Sequence, residues 1–364
     1  MESASEFTFE RHLTKNPLAL EERTARLQNP TFGTVFTEHM ATVRYVEGKG
    51  WHDARIEPFG PLPLSPATAA LHYGQEIFEG LKAYRTPDGG AQFFRPADNA
   101  RRLRRSARRM AMPAVPEDVF LGAARGVVRA DLDWLPQAPG TSLYLRPFQI
   151  ATEEHLGMRP AREYLFGVIA CPVGGAFAGS GALTVWVSDD HARAAPGGTG
   201  AAKCGGNYAA SMLPQARAME SGCDQVVYLD AAQRRYVEEL GGMNIFFVFD
   251  DGSLLTPPLG DSILPGITRD SVIVLARAED MAVEQRPYSV EEWRADIASG
   301  RLREVFSCGT AAVVAPIGAV RGAMGDLRIG DGRPGPVTER LRTALTDIQY
   351  GRSTDPFGWT TRIA

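Results

Sequence analysis

Cysteine is scarce: four in 364 residues (Cys171, Cys204, Cys223 and Cys308), none paired at metal-clip spacing. That excludes a disulfide scaffold, gives no reason to expect a metal site, and points to a reducing, cytoplasmic compartment. A basic surplus is also missing. Lys and Arg number 39 against 43 Asp and Glu, a formal charge of −4 with a pI near 5.9, whereas a nucleic-acid binder needs a clustered positive excess. The densest basic run, Arg101 to Arg109, has helical periodicity and reads as a solvated helix face. The amino terminus, MESASEFTFE, has neither the basic head nor the apolar run of a secretory signal, so the mature chain is expected to be the chain as it stands. One uncharged stretch, Phe166 to Ser188, is long enough for a bilayer. Gly167, Pro172, Gly174, Gly175, Gly179 and Gly181 break it into strand, loop and strand, so no membrane span is expected.

What is present is the composition of a folded globular chain, 44% apolar and 23% charged, without an internal repeat. At about 100–200 residues per domain the length predicts two domains. The glycine-rich break is the natural boundary: a small α/β domain over 1–173, a linker over 174–187 and a large domain over 188–364. Before the break, hydrophobic alternation predicts strands in HMATVRYVEGKGWHDARIEPF, FEGLKAYR, AQFFR, SLYLRPFQI and YLFGVIACPV, with helices in ADNARRLRRSARRM and from Glu117 to Leu132. After it, helices are expected from Tyr208 to Ser221 and in TRDSVIVLARAED, SVEEWRADIA and GPVTERLRTALTDI. Strands are expected at Gln225–Leu229, Asn244–Asp250, AVEQRPY, REVFS and AAVVAPIGAV. The chain ends are expected to fray.

Three segments carry candidate chemistry. In GGTGAAKCGGNYAAS a single lysine, Lys203, is surrounded by glycine and small residues that leave room for a bulky carbonyl compound. A free lysine amine has a pKa of about 10.4, so covalent chemistry requires desolvation or a nearby cation; a solvated loop lysine would look the same. In YVEELGGMNIFFVFDDG, Glu239 precedes a Gly-Gly pair and a strongly apolar strand, at what reads as a strand edge. In LPGITRDSVIVLARAED, Pro-Gly followed by Ile267 and Thr268 opens a helix whose amides suit an anion such as phosphate.

With LHYGQEIFEGLKAYR, FRPADNARRLRRSA, LYLRPF, TPPLGDSILPGITRDS, SCGTAA and GPVTERL, these segments resemble one family, in order and spacing from about residue 30 to the carboxyl terminus. The chain is similar to the branched-chain amino-acid aminotransferases, class IV pyridoxal-phosphate enzymes. The resemblance implies a mixed α/β (α+β), two-domain fold of the D-amino-acid-aminotransferase type, fold type IV. It implies reversible transfer of the amino group of leucine, isoleucine or valine to 2-oxoglutarate. Lys203 matches the lysine that carries the cofactor and moves the substrate proton, Glu239 the partner of the pyridine nitrogen, and Tyr208 the tyrosine on the phenolic oxygen. Arg102, Ile267, Thr268 and Thr310 match the phosphate cup. Thr310 with Ala311 matches the seat of the substrate carboxylate, Tyr144 and Arg146 match polar groups facing the substrate, and Phe78 and Tyr73 match its apolar wall. Tyr73 is the family residue that reaches a neighbouring subunit, which implies a homodimer. Mammalian members carry two cysteines where Ala312 and Ala315 stand here, so a redox switch of that kind is not expected. A D-amino-acid aminotransferase or an aminodeoxychorismate lyase would share the lysine, the glutamate and the cup; a catalytically silent cofactor-binding protein should have lost Lys203 or Glu239.

Overall fold

The computed structural model describes residues 7–28, 30–174, 181–322 and 324–364. The chain forms two compact units that interleave in sequence: Met1–Ala176 with Ala202–Gly205 and Ile348–Ala364, and Phe177–Ala201 with Gly206–Asp347. Residues 175–180 of the expected linker lie outside the described residues, and Leu183–Ser188 at its far end is a strand.

In the first unit, β1 (Glu10–Arg11), β2 (His39–Val46), β3 (Gly50–Pro58), β4 (Glu76–Phe78), β5 (Leu81–Arg85), β6 (Ala91–Phe94), β7 (Ser142–Ala151) and β8 (Glu163–Val173) form one sheet. Its order is β1-β3-β2-β8-β7-β5-β6, closed by a carboxyl-terminal strand, Thr360–Arg362, beside β6, with β4 also on β7. Only β1 and β3 run parallel among its described ladders. The helices are α1 (Leu20–Leu27), α2 (Ala69–Tyr73), α3 (Pro96–Arg109) and α4 (Glu117–Ala130). On α4 the buried residues Val119, Phe120, Ala123, Ala124, Val127 and Val128 recur at helical spacing and meet Val43, Leu145, Phe166 and Val168 in the core.

Two expectations change in this unit. FEGLKAYR is two strands: the register against β7 is kept and the Glu79 N–H still donates to the Pro147 carbonyl at 2.7 Å, but Pro147 has no N–H to give back. The carboxyl end does not fray over Thr360–Arg362: it pairs antiparallel with β6, and Trp359 packs against Phe94 at 5.5 Å between ring centroids. Burial of Trp359 and Ile363 holds it there.

The second unit contains β9 (Leu183–Ser188), β10 (Gln225–Leu229), β11 (Val237–Leu240), β12 (Asn244–Phe249), β13 (Leu254–Thr256), β14 (Val283–Gln285), β15 (Leu302–Gly309), β16 (Val313–Gly322) and β17 (Leu327–Arg328). The sheet order is β11-β10-β9-β16-β15-β12-β13-β14, with β17 on β16. Around it lie α5 (Gly205–Ala209), α6 (Met212–Glu220), α7 (Ile267–Ala278), α8 (Val290–Ser299) and α9 (Pro336–Gln349). The single helix expected from Tyr208 to Ser221 is divided between α5 and α6. Pro214 explains the restart: it has no N–H to donate and is tolerated in a first turn, where Met212 as the first residue of α6 places it. Val185, Val227, Ile245, Phe247, Val305 and Val320 form the core with Trp293 of α8, whose ring meets Phe247 edge-on at 5.1 Å. Glu239, expected at a strand edge, lies inside β11.

Candidate active site

In the first unit Lys203 is held by its backbone. Its N–H donates to Ser106 Oγ at 2.8 Å, and its carbonyl accepts from the Phe78 N–H at 2.9 Å. Two residues on, the Gly205 amide donates to Glu76, in a space where a Cβ would meet the carboxylate. With the backbone fixed, the Lys203 amine lies 4.8 Å from the centroid of the Phe78 ring. The Arg146 guanidinium lies over the same ring at 4.7 Å and donates to the Tyr144 hydroxyl at 3.3 Å. Tyr144 and Arg146 are two residues apart on β7 and so share a face. Gly80 leaves space for the Tyr144 hydroxyl that a Cβ would fill.

Arg102, from the buried face of α3, makes a two-pronged contact with Glu79: Nε to Oε1 at 2.6 Å and Nη2 to Oε2 at 2.9 Å. Asn99 Nδ2 also donates to Glu79, at 2.7 Å. Burial alone would raise the Glu79 carboxyl, but the Arg102 charge and hydrogen bonds, with Lys203 and Asn99, outweigh it and hold it below the ordinary carboxylate value. Tyr73 does not join this group. It stands exposed at the end of α2, its hydroxyl donating to the Leu156 carbonyl. On the same sheet, Lys82 pairs across β5 and β7 with Tyr144, and burial lowers its ammonium to about 8 although Cys171 nearby opposes the shift.

In the second unit Glu239 is 2% exposed. It accepts from Arg193 Nη1 at 2.8 Å, the Leu264 amide at 2.9 Å and Asn244 Nδ2 at 3.0 Å. Asn244 also donates to the Leu264 carbonyl at 3.0 Å, which ties β12 to the loop before α7. A Cβ on Gly266 would run into Asn244, so glycine is needed there. Ile267 and Thr268 begin α7, which has no side-chain cap at its start; uncapped first-turn amides suit a phosphate. Tyr208 lies on α5, near the Gly242 turn that joins β11 to β12. Thr310 and Ala311 occupy the turn between β15 and β16. All four cysteines are free and buried, and burial drives the Cys308 thiol up to about 12.

Glu79, Ser106, Lys82 and Arg193 escaped the sequence reading. Only Glu79 had a signal, as the middle residue of FEG; Arg193 sits in HARAAPGG with nothing local to mark its pairing with Glu239. Among the described residues no group of three His, Cys, Asp or Glu is placed to hold a metal.

The amino-transferase class IV family matches residues 76–320, and the chain belongs to that family. The particular relatives are of one kind. The chain is 52% identical over 353 residues to the branched-chain-amino-acid aminotransferase of Mycolicibacterium smegmatis, covering 96% of each. Among solved structures, the Escherichia coli branched-chain amino acid aminotransferase superposes with a TM-score of 0.75 at 31% identity, over 89% of this chain and 100% of that one. The Thermobaculum terrenum branched-chain aminotransferase in its PLP-form gives 0.73 at 25% identity, over 90% and 98%. The mixed α/β class IV aminotransferase fold is thereby shown.

Proposed function

We propose that this chain is a pyridoxal-phosphate-dependent branched-chain amino-acid aminotransferase. It moves the amino group of L-leucine, L-isoleucine or L-valine reversibly to 2-oxoglutarate, giving the branched 2-keto acid and L-glutamate. The observation that carries the reading is the Phe78 ring, with the Lys203 amine at 4.8 Å and the Arg146 guanidinium at 4.7 Å. An apolar wall beside a reactive amine suits a branched side chain, and a cation on that wall suits the second carboxylate of glutamate. The names of the relatives and the PLP-form neighbour support the same conclusion.

Within each unit the donors suit the part of the cofactor that the family resemblance assigns to them. Glu239 offers the pyridine nitrogen a buried carboxylate, the start of α7 with Thr268 and Ile267 offers the phosphate uncapped amides, and Lys203 offers the aldehyde an amine on a clamped backbone. Once bound, pyridoxal phosphate supplies an electron sink for the α-carbanion and a carbonyl that stores the amino group between half-reactions. Lys203 Nζ takes the proton from the substrate α-carbon in one direction and returns it in the other. Glu239 would hold the proton at the ring nitrogen, and Tyr208 would hydrogen-bond the phenolic oxygen. By the family resemblance, Arg102 and Thr310 would each contribute to holding the phosphate, and Thr310 and Ala311 would seat the substrate carboxylate. Tyr144 orients Arg146.

The homodimer belongs to the same proposal, with Tyr73 serving the partner's apolar wall. It is supported by exposed Leu71, Tyr73, Leu156 and Met158 on the first unit. The partners are otherwise small molecules, and four free cysteines support a cytoplasmic location. No helix among the described residues is long and apolar enough to cross a membrane.

The test is the visible absorbance of the purified, cofactor-loaded protein. Bleaching by L-leucine and recovery with 2-oxoglutarate, with D-alanine inert, is the expected result. Bleaching by D-alanine alone would move the chain to the D-amino-acid branch, and protein that acquires no visible band with pyridoxal phosphate would refute the reading.

A further inference from the structure

Arg193 is 3% exposed, yet nothing in the proposed chemistry calls on it. Its guanidinium is surrounded by acceptors: Glu239 Oε1 at 2.8 Å, the Ser262 carbonyl at 3.0 Å, and the carbonyls of Gly200 and Gly241 at 3.4 Å. Three carbonyls thus fix the direction in which the cation faces Glu239. We infer that Arg193 is a positioning residue for Glu239, its guanidinium fixing both the orientation and the negative charge of the carboxylate that faces the cofactor's ring nitrogen. The inference rests on the reading of Glu239 given above.

The physical requirement is strict. A carboxylate removed from water takes up a proton unless a cation or several donors hold it ionised. A neutral acid at Glu239 would no longer keep the ring nitrogen protonated. The Leu264 amide and Asn244 are uncharged donors that orient the group; Arg193 brings a full positive charge into hydrogen-bonding contact with it.

The other ionisable groups near Glu239 are differently engaged. Arg269 acts on it electrostatically, but its Nη2 donates to the Pro257 carbonyl and Gln285 Oε1, each at 2.9 Å. The Cys308 thiol is held neutral by burial. Glu238, the next residue along β11, lies where β11 carries an extra residue against β10, so its contacts rather than strand alternation define its surroundings. It accepts from the Ser262 hydroxyl on Oε1, while its Oε2 is buried with no partner. Burial raises the Glu238 carboxyl, with Asp230 adding to the rise and Arg193 opposing it. Arg193 thus acts on two buried carboxylates, and its hydrogen-bonded contact, at 2.8 Å, is with Glu239.

The test compares Arg193→Gln, Arg193→Lys, Glu239→Gln, the double variant Arg193→Gln/Glu239→Gln, and Glu238→Gln. The readouts are pyridoxal phosphate affinity of the apoprotein, and the position of the visible band across pH in the loaded protein. Arg193→Gln and Glu239→Gln should each weaken cofactor binding about tenfold or more and shift the band's pH course alike. The double variant should be no worse than either single one, because a residue acting through another loses its effect when that other is gone. Arg193→Lys, which keeps the charge, should restore the band toward wild type, and Glu238→Gln should leave both readouts unchanged. An Arg193→Gln protein with wild-type band and affinity, or losses that simply add in the double variant, would overturn the inference. Should Arg193→Gln fail to fold, Arg193→Lys carries the test: a near-wild-type band and affinity support the inference, and a folded Arg193→Lys protein whose band and affinity match those of Glu239→Gln overturns it. If Glu239→Gln itself changes nothing, it is the reading of Glu239 that fails.

Discussion

Ser106 and Arg102 stand four residues apart on the buried face of α3, so one helix surface serves two parts of the first unit. Ser106 Oγ accepts the Lys203 N–H at 2.8 Å, and Arg102 grips Glu79 through Nε and Nη2. Any rotation of the helix would move the lysine backbone and the Glu79 loop together.

Ser106→Ala therefore removes an anchor without touching the amine. We expect a stability loss of about 1 kcal/mol and a fall in kcat of roughly 10- to 100-fold from misplacement of Lys203. Thermal melting and steady-state kinetics check both; unchanged kcat would show that Phe78 and Glu76 suffice.

Lys203→Ala should abolish transamination while circular dichroism and melting stay close to wild type. Retained turnover in the folded variant would remove Lys203 from its role.

In the cofactor-free protein, Glu79→Gln leaves the buried Arg102 charge without its carboxylate partner and should cost on the order of 3 kcal/mol near neutral pH. The folded-state value of Glu79 is depressed below its ordinary 4.5, so its stabilisation is present above that pH and is lost as pH falls through the folded value. Urea unfolding as a function of pH should show an acid-side decline in the wild type that is shallower in the variant.

Thiol reactivity should be negligible in the native protein. Cys308 is pushed up to about 12, and burial raises Cys171 and Cys223 as well. A chromogenic disulfide reagent should report thiols only after unfolding, and activity should be insensitive to reductant. Rapid labelling of a folded sample would contradict the burial.

Local signals carried most of the elements. Ser289 and Glu292 form the capping box that SVEE announces, and the apolar period of α4 is that of its buried face. Pro214 lies within the Tyr208 to Ser221 stretch, and the break it marks at the start of α6 does not show in the helical periodicity. Lys203, Glu239 and Thr268 were legible because glycines, a strand and a helix start mark them within a few residues. Arg193 and Arg102 were not legible in the same way: whether an arginine is solvated or buried depends on a carboxylate supplied by a distant strand or loop. The run from Arg101 to Arg109 shows the difficulty, since Arg101 is half-exposed and Arg102 beside it is buried.

The interleaving of the two units shapes how the molecule must assemble. Gln92 donates to the carbonyls of Ile348 and Gln349, across separations of 256 and 257 residues, and the strand Thr360–Arg362 covers the edge of β6. Such pairings lengthen the search, because their loop entropy is lost before their contacts form. The second unit draws its sheet from one stretch of sequence and is free to form early. The first stays open at β6 until distant chain returns, leaving an unpaired, aggregation-prone edge during the wait. Refolding should thus be biphasic and strongly concentration-limited, its slow phase belonging to the first unit.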